Sequence, residues 1–303
     1  MRLRVLGSAA GGGVPQWNCA CRTCSLARAD TIPCRTQSSI AVSGDETHWF
    51  LVNASPDLRA QIETFAPLQP KGDASRSSPI DGVLLTNADL DHTLGLFLLR
   101  EGNSLRVHLS PPVRHALVEN LRLDSLLRPF TDLQWCDVPQ NDTPLTLRNG
   151  KPSGLLYRAI SLDAKPPRFA RSDTPDESGG HAVAYVLTDA RAGTQLVCAP
   201  DVGVISERLR DAIHDANVVF FDGTFWADDE LVALGASGFS AREMGHIPVH
   251  ESWPQLAAMK SQARIIYIHI NNTNPMLDSD SPEAERVRQA GLEIGMDGLE
   301  LVL

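Results

Sequence analysis

The apolar run Val83-Leu84-Leu85 passes straight into Thr86-Asn87-Ala88-Asp89-Leu90-Asp91-His92, and this junction constrains the chain more than any other stretch. The apolar triplet reads as a buried strand, and the residues after it place polar side chains at the strand's end. Aspartate is almost never buried without a partner. Two carboxylates and an imidazole at such an edge therefore point to a cation held by Asp89, Asp91 and His92. A competing reading is a polar turn that opens the next helix, with Asp91 or Thr93 as N-cap ahead of the apolar residues 94–99.

The same alternation recurs along the chain. Hydrophobic patterning predicts strands over 3–6, 39–42, 49–52, 83–85 and 106–109, with helices over 57–65 and 93–100 between them. The second half predicts strands over 155–160, 182–187, 195–198, 218–221 and 265–269, and helices over 206–213 and 251–261. Polar stretches rich in Pro, Gly and Ser at 72–79 and 171–180 read as loops near the site. Pattern alone gives mixed α and β. With 303 residues, 43% of them hydrophobic, the chain has ample material for a core, and we read residues 1–303 as one domain.

The formal charge of -10 is spread along the sequence and argues against nonspecific nucleic-acid binding. No stretch approaches the length of a membrane span, and the first residues carry too short an apolar run for a signal peptide, so a cytoplasmic protein is expected. In a reducing compartment the six cysteines read as ligands or buried thiols rather than disulfides. Cys19, Cys21 and Cys24 crowd into six residues, a spacing that suits thiolates on a tetrahedral structural zinc, whose fourth ligand must come from elsewhere. Other chemistries fit poorly. Gly7 to Gly13 lacks the G-x-G-x-x-G order and meets Val14-Pro15, and Gly235-Ala236-Ser237-Gly238-Phe239 misses the last glycine of a nucleophile elbow. The glycines of the first stretch instead permit a close turn beside the cysteine loop.

Asn87-Ala88-Asp89-Leu90-Asp91-His92 resembles the H-x-H-x-D-H signature of the metallo-β-lactamase superfamily, with its first two histidines replaced by Asn87 and Asp89. The opening Gly7-Ser8-Ala9-Ala10-Gly11-Gly12-Gly13-Val14-Pro15-Gln16-Trp17-Asn18-Cys19 is similar to one branch of that superfamily, which acts in the biosynthesis of pyrroloquinoline quinone (PQQ). Further echoes are Ser55-Pro56-Asp57-Leu58-Arg59, Asp222-Gly223-Thr224-Phe225-Trp226, Met244-Gly245-His246-Ile247-Pro248 and His269-Ile270-Asn271-Asn272-Thr273-Asn274-Pro275. The resemblance implies an α+β fold, a metallo-β-lactamase-like four-layer αββα sandwich. It also implies further metal ligands at Asp201 and His269, each just after a predicted strand. In related phosphodiesterases a histidine completes the three-cysteine zinc site. The matching position here is Asn272, and His269 or another nearby histidine stays open as the alternative.

A binuclear zinc hydrolase needs an imidazole-rich set, which this chain has lost. Two histidines and a carboxylate, with open positions, are instead the arrangement of non-haem iron(II) oxygenases, although Zn2+ and Mn2+ accept the same ligands. The resemblance points the same way: tyrosine in a glutamate–tyrosine unit cut from a precursor peptide must be oxygenated. The expected enzyme holds Fe2+ on His92, His269 and Asp91 or Asp201, and structural Zn2+ on Cys19, Cys21 and Cys24. His246 is a candidate proton-transfer group or substrate contact, and Arg59 a candidate partner for substrate carboxylates. A zinc hydrolase, or a noncatalytic carrier moving PQQ or its precursor towards the periplasm, is the competing expectation. Other PQQ biosynthesis proteins are the expected partners, and a homodimer is left open.

Overall fold

The computed structural model describes residues 1–72, 76–102, 104–171, 179–259 and 262–303. Fourteen strands form among them: β1 (Arg2–Gly7), β2 (Ser39–Ser43), β3 (Trp49–Val52), β4 (Ile80–Leu84), β5 (Ser104–Leu109), β6 (Asp132–Asp137), β7 (Thr143–Thr146), β8 (Pro152–Leu162), β9 (Ala182–Asp189), β10 (Gln195–Ala199), β11 (Val218–Asp222), β12 (Arg264–Ile268), β13 (Glu293–Ile294) and β14 (Glu300–Val302). They make two seven-stranded sheets, in the orders β14-β1-β2-β3-β4-β5-β6 and β13-β12-β11-β10-β9-β8-β7.

Side-chain alternation explains why the sheets stack. Phe50, Val52, Phe220, Ile266 and Ile268 enter one apolar cluster shared by both sheets, together with Leu3, Val5 and Tyr185. Their strand neighbours Trp49 and Leu51 turn to the opposite face of the first sheet, where Leu58, Leu96, Val113 and Leu117 from helical segments cover them. Val219, Phe221, Ile265 and Tyr267 do the same on the second sheet against Leu209, Ile213, Leu256 and Val287. The period-two pattern thus places one face of each sheet on its partner and the other under helices, giving the four αββα layers. Strands buried on both faces read as unbroken apolar runs, as in Val218-Val219-Phe220-Phe221.

One half of each sheet, from its centre to one edge, is parallel: β3 to β6 in the first, and β10 to β13 in the second. Parallel neighbours share the direction of their carboxyl ends. Chain leaving β4, β10, β11 and β12 therefore emerges on one side of the sandwich.

Several local expectations shift. The helix expected over 93–100 is two short turns, Leu90–Thr93 and Leu96–Leu99. They part around Gly95, whose missing Cβ would lie 2.4 Å from the Ser55 carbonyl oxygen. Neither Asp91 nor Thr93 caps a helix: both lie inside the first turn, and Asp89 occupies the N-cap position without a side-chain capping bond. The helix expected over 206–213 runs Glu207–Asp215, with Ser206 Oγ accepting from Leu209 N. That expected over 251–261 runs Val249–Ala258, its expected end lying outside the described residues. The loops expected at 72–79 and 171–180 also fall partly outside them. No helix among the described residues is long and apolar enough to cross a membrane.

Candidate metal centres

Two groups of ligand atoms assemble on the side where the parallel strands end. In the first, the sulfurs of Cys19, Cys21 and Cys24 all lie within 4.8 Å of one another. Asn272 faces all three, its Nδ2 at 3.1, 3.6 and 3.3 Å from the sulfurs of Cys19, Cys21 and Cys24. An amide exchanges its nitrogen and oxygen by a half-turn. The edge between a sulfur and an oxygen on tetrahedral zinc is about 3.6 Å, from bond lengths of about 2.3 and 2.1 Å. The Asn272 amide therefore stands where a fourth ligand would. Gln16 N donates to Cys24 Sγ at 3.3 Å, and Thr23 Oγ1 donates to the Asn272 carbonyl. Burial pushes the Cys24 thiol up to about 11. Burial also works against a Cys21 thiolate, but hydrogen bonds, led by the contact it shares with Thr23 Oγ1, outweigh it and hold its thiol below the ordinary value.

The second group joins two overlapping triads, Asp91–His92–His269 and Asp201–His246–His269, each with ligand atoms within 4.8 Å of one another. His269 Nε2 lies 3.2 Å from Asp91 Oδ2 and 3.8 Å from Asp201 Oδ1. His92 Nε2 lies 3.7 Å from Asp91 Oδ2. The rings of His92 and His269 meet edge to face, whereas His246 stacks on His269.

The far side of each ring is tied down. Thr224 Oγ1 donates to Asp222 Oδ1 at 2.6 Å, so at its 2.8 Å contact it accepts from His269 Nδ1. His92 Nδ1 faces Thr86 Oγ1 at 3.2 Å, and Thr86 is held by both ends of the Asn53 amide. These contacts leave the Nε2 atoms of His92 and His269 for the centre of the group. His92 is fully buried, and its Nε2 finds no hydrogen-bond partner among the described residues. A buried lone pair facing carboxylates and a second imidazole is what a metal ion satisfies, so the donor set fits one.

The charges agree with that reading. Burial disfavours a charged His269, yet Asp201 and Asp91 outweigh it and push the imidazole up to about 9. Burial likewise works against an ionised Asp91, but His92 and His269 hold its carboxyl well below the usual range. His246 Nδ1 lies 2.8 Å from Asp222 Oδ2; burial opposes its charge, and the Asp222 carboxylate raises its pKa in spite of that.

His269 also breaks strand parity. Its φ of +55° is left-handed, a conformation that costs a non-glycine residue about 1–2 kcal/mol. Ile268 on one side enters the cluster between the sheets, and Ile270 on the other enters the cluster under the helices. The group opens into a cleft of about 560 Å³, bordered by chain that follows β8, from Ala164 to Arg171, and β11, from Thr224 to His246.

A model of the β-lactamase superfamily domain matches residues 48–270. Coenzyme PQQ synthesis protein B of Pseudomonas putida strain GB-1 is 39% identical over 310 residues, and that of Azoarcus sp. strain BH72 is 40% identical over 313, with the whole of every chain covered. The chain belongs to the coenzyme PQQ synthesis protein B family. Zn(2+)-bound PqqB from Methylobacterium extorquens, a crystal structure, aligns over the whole of both chains with a TM-score of 0.87 at 36% identity. A diphosphatase of the PhnP family shares the fold, with a TM-score of 0.67 at 18% identity over 100% of this chain and 97% of its own.

In this member of the coenzyme PQQ synthesis protein B family, four residues expected from strand ends, Asp91, His92, Asp201 and His269, converge. Two other expectations do not hold, and Asp89 stands beside the group rather than in it. Asp89 belongs to neither triad but lines the same cleft, where burial and the neighbouring carboxylates of Asp91 and Asp201 push its carboxyl up to about 6; Asn87 Oδ1 accepts from Asp89 N at 2.9 Å and fixes the turn. Arg59 does not border the cleft. The helix Leu58–Glu63 buries Leu58 and Gln61, which turns position 59 to solvent on the outer layer. His269 does not complete the cysteine set, since its imidazole belongs to the second group. Sequence reasoning gave no role to Asp222, Thr224 or Thr86. Asp222 ends the apolar run of β11, so the strand-end rule that singled out Asp91 could have found it.

Proposed function

We propose that this protein is a cytoplasmic iron(II)-dependent oxygenase of PQQ biosynthesis that hydroxylates the tyrosine ring of a glutamate–tyrosine precursor. The observation that carries this reading is the Asp91–His92–His269 triad: one carboxylate and two imidazoles, with the buried His92 Nε2 left without a hydrogen-bond partner among the described residues. The positions that would widen the set into an imidazole-rich binuclear one hold Asn87, whose Oδ1 is engaged by a backbone N–H, and Asp89, which lies outside the triads. Iron(II) held by Asp91, His92 and His269 would supply activation of dioxygen beside a bound phenol.

In the balanced reaction a ring C–H becomes C–OH with one atom of dioxygen. The other leaves as water, with two electrons and two protons from an external reductant. The chain's own groups orient and protect. Thr224 and Thr86 fix the two imidazoles, and His246, anchored through Nδ1 by Asp222, can hold a proton at its other ring nitrogen. Phe225, Leu231, Phe239 and Met244 line the cleft and offer apolar contact to a ring. Cys19, Cys21, Cys24 and Asn272 would hold a structural zinc apart from the reaction.

A zinc-dependent hydrolase is the second reading, favoured by the third imidazole in Asp201–His246–His269. Mass spectrometry separates the two: protein reconstituted with iron without oxygen is given the glutamate–tyrosine unit, an external two-electron reductant such as ascorbate, and then labelled dioxygen. Label in the product is the expected result. Oxygen derived from water under zinc would establish the hydrolase, and unchanged substrate on intact, iron-loaded protein would favour a carrier or a different precursor.

A further inference from the structure

We propose that Lys165, Arg168 and Arg171 form a lip that binds carboxylates and so selects a substrate carrying two or more of them. The inference rests on the reading of the cleft as a substrate site. All three cations fall within seven residues of the chain after β8, all are exposed, and all border the cleft that holds Asp91, Asp201, His246 and His269.

Two of them are oriented by what they touch. The Arg168 guanidinium lies 4.8 Å from the centre of the Phe239 ring, a contact that spans the cleft from the segment after β8 to the segment after β11. Stacking of this kind holds a planar head while leaving its edge to donate. Arg171 donates through Nε to the Pro166 carbonyl at 3.1 Å, which tethers its head near the same rim. A guanidinium edge offers two parallel N–H groups, matched to the two oxygens of a carboxylate.

Charge is divided across the cleft. Asp91 and Asp201 make its floor acidic, whereas Lys165, Arg168 and Arg171 make the rim after β8 basic; Glu243, held by Ser240 N, is a carboxylate on the opposite rim. With a divalent ion balancing Asp91 and Asp201, a molecule with carboxylates at one end and a neutral ring at the other is held at its charged end by the cations of the rim. It therefore enters ring-first, with the ring beside the metal ligands. Arg59, on the outer layer, has no part in this.

The test is titration calorimetry of the zinc-loaded protein, which binds without oxygen turnover, using the dipeptide Glu-Tyr as the free acid and as its diamide. The free acid should bind the native protein about tenfold or more tightly than the diamide, the scale of one lost charged hydrogen bond. The R168Q/R171Q double variant should lose that preference, and salt should erode it in the native protein. Phe239→Leu, which keeps all three cations, should lose part of it and serves if the double variant folds poorly. Equal binding of acid and diamide, no binding of the acid, or an undiminished preference in the double variant would overturn the proposal. Diphosphate bound as tightly as the acid, with the same loss in the variant, would overturn the assignment to carboxylates. Oxygen insertion is read separately: absent label with an intact acid preference removes the oxygenase and leaves the lip.

Discussion

His269 and Asn272 stand three positions apart on one turn, yet each faces a different ligand group. The imidazole lies 3.2 Å from Asp91, and the amide 3.1 Å from the Cys19 sulfur. The intervening chain is pinned where Asn271 N donates to the Thr224 carbonyl at 3.0 Å. Thr224 also holds His269 Nδ1. Order in the cysteine loop is thereby passed to the imidazole group through a few bonds of backbone.

Cys24→Ser should therefore do more than release zinc. Metal analysis should show loss of the structural ion, and thermal unfolding should shift down by roughly 5–10 °C, the scale of a few kcal/mol in a chain of this size. Iron affinity at the second group should fall as well, because the turn carrying His269 loses its anchor. Unchanged unfolding with zinc absent would contradict this coupling.

His92→Ala should lower turnover more than about 100-fold, beyond the usual loss at a group that only supports a ligand. Bound iron should fall by about one equivalent while the circular dichroism spectrum stays native. Full activity would remove His92 from the site.

Thr224→Val deletes the hydroxyl that bridges Asp222 and His269 while nearly keeping volume. Iron affinity or activity should drop about 10–100-fold, and Thr224→Ser should restore most of it. Equal defects in valine and serine variants would point to packing instead.

Glu230, which accepts from Thr273 beside the Asn272 turn, gives a pH signature of its own. Burial pushes its carboxyl from the ordinary value of 4.5 up to about 7, against the opposing bonds from Thr273 Oγ1 and Trp226 N. A raised folded pKa means the folded state holds the proton that the unfolded state gives up. Its contribution is full below about pH 4.5 and lost as pH rises through about 7. Allowing for the side chain's partial exposure, the loss is on the order of 2 kcal/mol. Glu230→Gln should flatten the fall in stability across that window in urea titrations; a slope matching the native one would reject the assignment.

Much of this architecture is legible in sequence where burial is complete. Val218 to Phe221 and Ile265 to Ile268 announce their strands because both faces are covered. The edge strands do not: β6, β7, β13 and β14 have few apolar residues and mix polar side chains into short stretches. At the site, Asp91 and His92 were visible because they crowd polar side chains behind a strong strand, whereas Asp201 and His269 were singled out by the family resemblance, each just after a strand. The rim of Lys165, Arg168 and Arg171 was not, since nothing in its local pattern says which cleft a long connection will border. Arg59 failed for a related reason: its motif is informative, but its helical face is decided by Leu58 and Gln61.

The parity break at His269 has a consequence for how the centre can evolve and move. With Ile268 and Ile270 locked into separate apolar layers, the imidazole cannot shift without disturbing both, so the ligand frame behaves as a rigid part of the scaffold. New substrates would have to be accommodated by the bordering connections, where changes are cheap, and the metal-binding frame could persist while selectivity drifts around it.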